Sequence, residues 1–194
     1  GFDFATTTRV EGDSIDINTK GLITYDRSIK KDSYYFYQAN WSEQPMVHIT
    51  SKRYARRAYQ VTPVKVYSNL PEVELFVNEQ SLGVKSDCAM NVCLWPEVEL
   101  AAGENVLEAK GTGASQNISD SAQWQLSPQL ENAYYIDTGA LMAADSAPDT
   151  FGSDAFFSGG SAAILDKPGG WGRSPKPAVI HNMADRNIAT TYRS

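Results

Sequence analysis

The sequence contains few of the residues that build metal or redox sites. Its 194 residues include only two cysteines and two histidines. His48 and His181 stand far apart and neither has a cysteine beside it, so we expect no metal site, and nothing indicates a cofactor. Cys88 and Cys93 flank four residues, a spacing unlike the Cys-x-x-Cys of redox and zinc sites. That spacing fits a disulfide across a short hairpin, and two free buried thiols are the alternative.

Long apolar runs and an excess of positive charge are also missing. No run of about 18 apolar residues could span a bilayer, so we expect no membrane span. Gly-Phe-Asp-Phe opens the sequence instead of a basic and then apolar segment, and we expect any export signal to lie outside these residues. Lysine and arginine total 17 against 23 aspartate and glutamate, a formal charge of −6. That sign disfavours nucleic acid as a partner, because phosphate binding needs a basic surface.

Short β-branched and aromatic runs separated by turn residues fill residues 46–126 and predict an antiparallel sandwich. In Val47–Thr50 and Val73–Val77 apolar residues alternate with polar ones, which predicts an inward Val47 and an outward His48. About seven strands in ~80 residues match the size of an immunoglobulin-like domain. Three large apolar side chains are expected in its core: Phe76, Trp95 and Trp124.

One amphipathic helix is predicted over residues 32–41, ahead of the sheet region. Its N-cap is expected at Asp32 or Ser33. Three aromatic side chains fall at helical spacing on one face: Tyr34, Tyr37 and Trp41. A lone helix before a β domain indicates the end of a preceding helical layer.

Several motifs resemble the end of the catalytic barrel in family 2 glycoside hydrolases of the β-galactosidase type. They are Gly1–Ala5, Asn18–Arg27 and Lys30–Tyr37. Val64–Asn78, with Ser81–Gly83, is similar to the immunoglobulin-like domain that follows that barrel. The last part resembles the start of a malectin-like carbohydrate-binding module, through Tyr135–Gly139, Gly169–Trp171 and Thr191–Arg193.

The resemblance implies a mainly β chain of three modules. Residues 1–43 would be the C-terminal end of a TIM-barrel catalytic domain, which supplies a loop and the last helix. Residues 44–128 would be an immunoglobulin-like β-sandwich. Residues 129–194, where charges become few and Gly, Ser and Ala many, would be a partial malectin-like β-sandwich.

The same resemblance implies a function in carbohydrate degradation. The chain would be the C-terminal portion of a retaining, exo-acting β-galactosidase, secreted or periplasmic. Its partners would be a sugar derived from an oligosaccharide or polysaccharide and the remainder of the same enzyme. A β-glucuronidase-type enzyme and a non-catalytic carbohydrate-binding or spacer module are the alternatives.

No catalytic residue is expected in this chain. Retaining glycosidases need two carboxyl groups about 5 to 5.5 Å apart, and in this family both belong to glutamates on earlier barrel strands. The glutamates here stand at turns, such as Glu79 and Glu104, or on the outer faces of strands, such as Glu74 and Glu99. The catalytic pair is therefore expected upstream, and this chain alone should be inactive.

Two groups of residues are candidates for binding the substrate. Phe2, Asp3 and Phe4 could form a sugar wall, because aromatic rings pack on sugar C–H groups and a carboxylate accepts hydroxyl hydrogen bonds. The alternative places both rings in the barrel core and Asp3 at a turn. Asn18 and Lys20 match the Asn-x-Lys loop that grips the sugar carboxylate in β-glucuronidases. The alternatives for this pair are loop ordering and contacts to a neutral sugar.

Other side chains near these motifs have simpler expected roles. Asp26 and Arg27 are expected to fix their loop by an ion pair. Trp171, in a Gly-Gly-Trp-Gly loop, could stack on sugar or fold back as a plug. Tyr192 and Arg193 could line the ligand face of the malectin-like module.

Overall fold

The computed structural model describes residues 1–5, 16–113, 118–136, 152–153, 156–158, 161–164, 184–187 and 191–192. Within these ranges no helix is long and apolar enough to cross a membrane. The described helix and strands, in chain order, are β1 (Phe4–Ala5), β2 (Ile17–Asn18), α1 (Asp32–Trp41), β3 (Val47–Ile49), β4 (Arg56–Arg57), β5 (Val61–Ser68), β6 (Glu72–Val77), β7 (Gln80–Ser86), β8 (Val92–Glu99), β9 (Gly103–Thr112), β10 (Ile118–Leu126), β11 (Phe157–Ser158), β12 (Ser161–Ile164), β13 (Ala184–Asn187) and β14 (Thr191–Tyr192). Two short 3₁₀ helices cover Ala89–Asn91 and Pro128–Leu130.

The chain forms two compact units. The first contains Gly1–Ala55, Val61–Leu100 and Glu104–Gln125. The second contains Arg56–Gln60, Ala101–Gly103 and Leu126–Ser194. The predicted module boundaries at residues 43 and 128 stay predictions.

Two antiparallel sheets dominate the first unit. One sheet has the strand order β3-β5-β8, and in the other β10, β9, β6 and β7 are neighbours in that order. Strand β5 runs antiparallel to β3 and β8, and β6 runs antiparallel to β7 and β9. This order is that of an immunoglobulin-type sandwich. The mainly β prediction is therefore confirmed, whereas the barrel remnant and the malectin-like module stay predictions.

Side-chain alternation fixes the core of the sandwich. In β6, Val73, Leu75 and Val77 are buried, as the sequence pattern predicted. Phe76 is only half-buried and carries the Lys110 ammonium 4.4 Å above its ring. The expectation that Phe76 belongs to the core was wrong, because period-2 alternation places it on the opposite face from Leu75. The predicted core residues Trp95 and Trp124 are buried.

Helix α1 packs against the sandwich through the face opposite its predicted aromatic stripe. The Tyr35 ring stacks on His48 at 3.6 Å between centroids, and Phe36 meets Tyr67 at 5.5 Å. Ala39, one turn further along, is buried. His48 was expected on an outward face, but it is buried because the helix covers that side of β3.

A disulfide joins Cys88 and Cys93 around the 3₁₀ turn Ala89–Asn91. This loop docks on the C-terminal half of α1. The Asn91 side-chain amide donates to the Ala39 carbonyl at 2.8 Å, and the Asn40 amide donates to the Met90 carbonyl at 3.1 Å. The cross-linked loop therefore holds the helix on the sandwich.

The second unit contains short strand pairs. Strand β11 pairs antiparallel with β14, with Phe157 opposite Tyr192, and β12 pairs antiparallel with β13. Tyr59 donates a hydrogen bond from its hydroxyl to the Ser153 carbonyl. The candidate sugar-binding residues Trp171 and Arg193 lie outside the described residues, as does the side chain of Tyr192.

Candidate functional site

The first five residues form the backbone frame of the candidate site. Asp3 donates its N–H to the Ile23 carbonyl at 2.8 Å, and Leu22 donates to the Gly1 carbonyl at 2.9 Å. On the other side Phe4 lies opposite Asn18 in the antiparallel pair β1-β2. The opening strand thus runs between the Asn18 region and the segment around Ile23.

Extended backbone places the predicted sugar-wall residues on two different sides. Phe2 and Phe4 are exposed, at 49% and 52%, whereas Asp3 between them is only 4% exposed. Successive side chains in extended backbone point to opposite faces. The structure therefore does not bring the Asp3 carboxylate to the same surface as the two rings.

Asp3 is an internal anchor. Its Oδ1 atom accepts hydrogen bonds from the Gly21 N–H at 2.8 Å and from the Lys31 ammonium at 2.7 Å. The Lys31 ammonium also donates to the Thr19 carbonyl at 2.6 Å. The buried carboxylate therefore ties the start of the chain to the Asn18–Lys20 loop and to the residue before α1.

The Asn18–Lys20 loop presents polar groups beside an aromatic ring. The Lys20 N–H donates to Asn18 Oδ1 at 3.0 Å, which orients the asparagine amide, and Lys20 itself is exposed. Directly opposite residues on paired strands have neighbouring side chains, so Phe4 and Asn18 share one face of β1-β2. The Phe4 ring and the Asn18 amide are thus neighbours, and the backbone N–H of Lys20 is bound to that amide.

The next loop is held by hydrogen bonds, not by the expected ion pair between Asp26 and Arg27. Bonds from the Ser28 hydroxyl, the Thr24 hydroxyl and the Ser28 N–H lower the pKa of Asp26 to about 2. Arg27 instead donates to the Tyr25 carbonyl at 2.8 Å, and its guanidinium lies 3.4 Å over the Phe2 ring. One face of Phe2 is therefore covered by a cation.

A second polar cluster joins α1 to the sandwich. His48 Nε2 lies 3.1 Å from Asp32 Oδ1, and its Nδ1 lies 3.7 Å from Asp120 Oδ2. Asp32 Oδ2 accepts from the Ser51 N–H at 2.7 Å. The expectation that Asp32 or Ser33 caps the helix was wrong, because Lys31 is the cap residue and the Asp32 carboxylate binds the strand region instead.

The environment of Asp32 stabilises its ionised form. Burial raises its pKa, but the hydrogen bonds from His48 and the Ser51 N–H, with the charges of His48 and Arg53, outweigh burial and lower the pKa below the ordinary 3.8. This carboxylate therefore stabilises the fold above its ordinary pKa, and that contribution is lost as the pH falls through the lower folded value.

We expect Asp32→Asn to lower the free energy of unfolding at neutral pH by about 1 kcal/mol. The charged hydrogen bonds justify a larger value, but the side chain is 38% exposed and water screens it. Urea unfolding at pH 7 and at about pH 2 measures the effect. The difference from the unmodified protein should shrink at the lower pH, because the contribution of the ionised Asp32 carboxylate is lost as the pH falls through its lowered folded pKa.

Asp87→Asn is the matched control, since Asp87 is exposed on the sandwich. Its unfolding curve should follow that of the unmodified protein at both pH values. A deficit in Asp32→Asn that is equally large at low pH would contradict the electrostatic explanation.

Sequence patterns missed Lys31, which lies at the centre of the hydrogen bonds that join Asp3 to the Asn18–Lys20 loop. Its partner Asp3 lies 28 positions earlier in the sequence, so no local spacing indicated the contact. In the described ranges no group of three or more His, Cys, Asp and Glu side chains could hold a metal. The arrangement of residues 1–5 and 16–31 suits binding of a polar ligand by the Phe4 ring, the Asn18 amide and the exposed Lys20.

Comparison with known proteins supports a glycosidase relationship. A family model described as a domain of unknown function, DUF4982, matches residues 59–118. A β-glucuronidase of Bacteroides fragilis is 40% identical over 113 residues, a segment that covers 58% of this chain and 16% of the relative. The chain therefore spans only a small part of that relative's length.

Solved structures give the same relationship. A Bacteroides fragilis protein described as a β-galactosidase superposes with a TM-score of 0.61 and 38% identity, over 65% of this chain and 19% of that one. A β-glucuronidase of Bacteroides uniformis superposes with a TM-score of 0.61 and 27% identity, over 77% of this chain and 20% of that one. The homologues are thus glycoside hydrolases, and the described sandwich is of the kind found in them.

Proposed function

We propose that this chain is the C-terminal portion of a retaining, exo-acting family 2 glycoside hydrolase that acts on β-glucuronides. The observation that carries the proposal is the Asn18–Lys20 loop, which presents an oriented amide opposite Phe4 and, two residues later, an exposed lysine. The similarity to β-glucuronidases of two Bacteroides species supports it. The sequence alone favoured a β-galactosidase, and these relatives shift the preference to the uronide.

The chemistry of the loop matches a carboxylated sugar. Lys20 supplies a positive charge and the Asn18 amide supplies N–H donors, which together suit a carboxylate. The exposed Phe4 ring opposite Asn18 offers an apolar face for sugar C–H groups. Lys20 and Asn18 would thus bind the carboxylate of the uronic acid, and the Phe4 side chain would pack against the sugar ring.

The catalytic glutamates belong, in this proposal, to polypeptide upstream of residue 1. The outer face of α1 supports such a partner, because Trp41 is 79% exposed and packs only 4.5 Å from the exposed Tyr37 ring. An aromatic pair in water is a typical sign of a surface that another protein segment covers. The remainder of the enzyme is the proposed cover. A native polypeptide confined to these 194 residues would overturn this part of the proposal.

A β-galactosidase is the second candidate. It is favoured by the 38% identity to the Bacteroides fragilis protein described as a β-galactosidase. In that case Asn18 and Lys20 would contact hydroxyl groups of a neutral sugar. The two candidates differ in how strongly Lys20 should affect each substrate.

Substitution of Lys20 tests the proposal in the complete enzyme. Lys20→Ala should lower kcat/KM for p-nitrophenyl β-D-glucuronide by about 10- to 100-fold, the size expected for a lost charge-assisted hydrogen bond. Its effect on p-nitrophenyl β-D-galactoside should stay within about threefold. Lys85→Ala, on the exposed edge strand β7, should change neither value.

Two outcomes would overturn the uronide proposal. The first is an enzyme that hydrolyses the galactoside and not the glucuronide, which selects the second candidate. The second is an equal loss on both substrates in Lys20→Ala, which would leave Lys20 without a role in choosing between them. Either outcome counts only if the Lys85→Ala variant keeps the kcat/KM values of the unmodified enzyme.

Two further parts of the proposal concern location and accessory binding. We propose a secreted or periplasmic protein, which the Cys88–Cys93 disulfide supports because such bonds persist in oxidising compartments.

We also propose that residues 129–194 belong to a carbohydrate-binding module that uses Trp171, Tyr192 and Arg193. Quenching of Trp171 fluorescence by oligosaccharides tests that role.

A further inference from the structure

We propose that Lys31 and Asp3 form a positioning pair that fixes the Asn18–Lys20 loop for recognition of a carboxylated sugar. The inference rests on the proposed function and deepens it. Neither residue has to touch the substrate. Lys31 acts through the backbone of the loop, and Asp3 acts through Lys31 and the loop together.

The hydrogen bonds bracket Lys20 on both sides. The Lys31 ammonium donates to the Thr19 carbonyl at 2.6 Å, which belongs to the peptide group before Lys20. The Gly21 N–H, which belongs to the peptide group after Lys20, donates to Asp3 Oδ1 at 2.8 Å. Because both peptide planes are held, the position of the Lys20 Cα atom is fixed.

A single carboxylate oxygen joins the two anchors. Asp3 Oδ1 accepts from the Gly21 N–H and also pairs with the Lys31 ammonium at 2.7 Å. Loss of either charged group would therefore release the loop on one side and weaken the hold on the other. The fixed backbone also keeps the Lys20 N–H on Asn18 Oδ1, which orients the asparagine amide.

Burial makes this arrangement rigid. The Asp3 side chain is 5% exposed and the Lys31 side chain 18%, so water screens their attraction weakly. Asp3 itself is anchored, since its N–H binds the Ile23 carbonyl at 2.8 Å. The Asp3–Lys31 pair is thus fixed by the backbone of the opening strand, and the pair in turn fixes the exposed Asn18–Lys20 loop.

Positioning has a specific kinetic consequence. A displacement of about 1 Å in a group that aligns the substrate can cost on the order of 100-fold in rate. A displaced Lys20 would affect the sugar that carries a carboxylate more than a neutral sugar of the same shape. The pair should therefore control the preference for uronides over neutral glycosides.

Kinetics of three variants of the complete enzyme test the pair. Lys31→Met and Asp3→Asn should each lower kcat/KM for p-nitrophenyl β-D-glucuronide by about 10- to 50-fold, with most of the change in KM. Lys31→Arg should remain within about fivefold of the unmodified enzyme, because a guanidinium can still donate to both partners. The Asp3→Asn/Lys31→Met double variant should lose no more than the worse single variant.

Lys30→Met is the matched control, because the Lys30 ammonium lies over the Tyr34 ring at 4.7 Å, away from the loop contacts. The control should retain full activity. Melting temperatures of all variants separate misplacement from unfolding. A purely structural role would lower kcat/KM for the glucuronide and for a neutral β-glycoside by the same factor. It would also weaken the binding of a neutral inhibitor by that factor.

The outcomes separate this inference from the proposed function. If Lys20→Ala loses glucuronide activity while Lys31→Met and Asp3→Asn keep it, the positioning role is overturned and the function stands. If the unmodified enzyme cleaves no glucuronide, both are overturned. If Lys31→Met and Asp3→Asn both fail to fold, the pair is a folding element and the positioning role is again overturned.

Discussion

Gly21→Ala should lower kcat/KM of the complete enzyme on β-glucuronides by more than about 100-fold. A Cβ atom on Gly21 would lie 2.1 Å from the Phe2 carbonyl carbon and 2.2 Å from the Asp3 nitrogen. Both atoms belong to the backbone, so no side-chain rotation relieves the overlap. The loop must move away from the opening strand, and a shift of about 1 Å is enough for the expected loss.

The displacement would also break specific hydrogen bonds. The Gly21 N–H would leave Asp3 Oδ1, and the bond from the Leu22 N–H to the Gly1 carbonyl would lengthen. Steady-state kinetics measure the loss of activity, and thermal unfolding measures a destabilisation of about 1 to 3 kcal/mol. Kinetics within threefold of the unmodified enzyme would mean that the loop tolerates displacement.

Gly1→Ala is the matched control for this prediction. A Cβ atom on Gly1 meets no atom of the described residues within 4 Å, so the added methyl group overlaps with none of them. Both glycines lie in the same backbone frame and differ in the space beside them. A similar loss in the two variants would trace the effect to the general behaviour of the segment, not to the close approach at Gly21.

Residues 32–41 show both what a helical pattern can predict and what it leaves open. The predicted bounds agree with α1, Asp32–Trp41. Three aromatics at helical spacing indicated one face, but a second face with Tyr35 and Phe36 packs on the sandwich. A helix with aromatic residues on two sides does not reveal which side meets its own domain, because that depends on the partner surface.

The strands show a similar division between local pattern and tertiary context. Alternation alone correctly placed Val73, Leu75 and Val77 inward. The same alternation would have placed Phe76 outward, and treating its ring as core because it is large was the error. His48 was misplaced for a different reason, since the helix that covers it is folded back from an earlier part of the chain.

In the candidate site, the types of residue involved were easier to predict than the directions in which their side chains point. The motifs singled out Phe2, Asp3 and Phe4 together, although a period of two already separates Asp3 from the two rings. The buried contact of Asp3 with Lys31 spans 28 positions and has no local signature. What remained hidden was therefore long-range pairing, which depends on how the opening strand and the following loop fold over each other.

Leu75→Ala should lower the free energy of unfolding of the first unit by about 2 to 5 kcal/mol. Leu75 is 0% exposed in the middle of β6, where it lies opposite Ala109 on β9. Truncation removes buried methyl groups and leaves a cavity that neighbouring strands fill only in part. Domains are stable by only about 5 to 15 kcal/mol, so this single change removes a large share of the total.

Thermal unfolding of the 194-residue chain measures the effect of Leu75→Ala as a fall in melting temperature of roughly 5 to 15 °C. Leu82→Ala provides the matched control, because Leu82 is 37% exposed on the edge strand β7 and its methyl groups already contact water. Its melting temperature should fall by no more than about 2 °C. If the two variants melt together, burial does not set the stability of this sheet, and the core assigned to the sandwich is wrong. If only Leu75→Ala is destabilised, the alternation that placed Leu75 inward is a determinant of the fold.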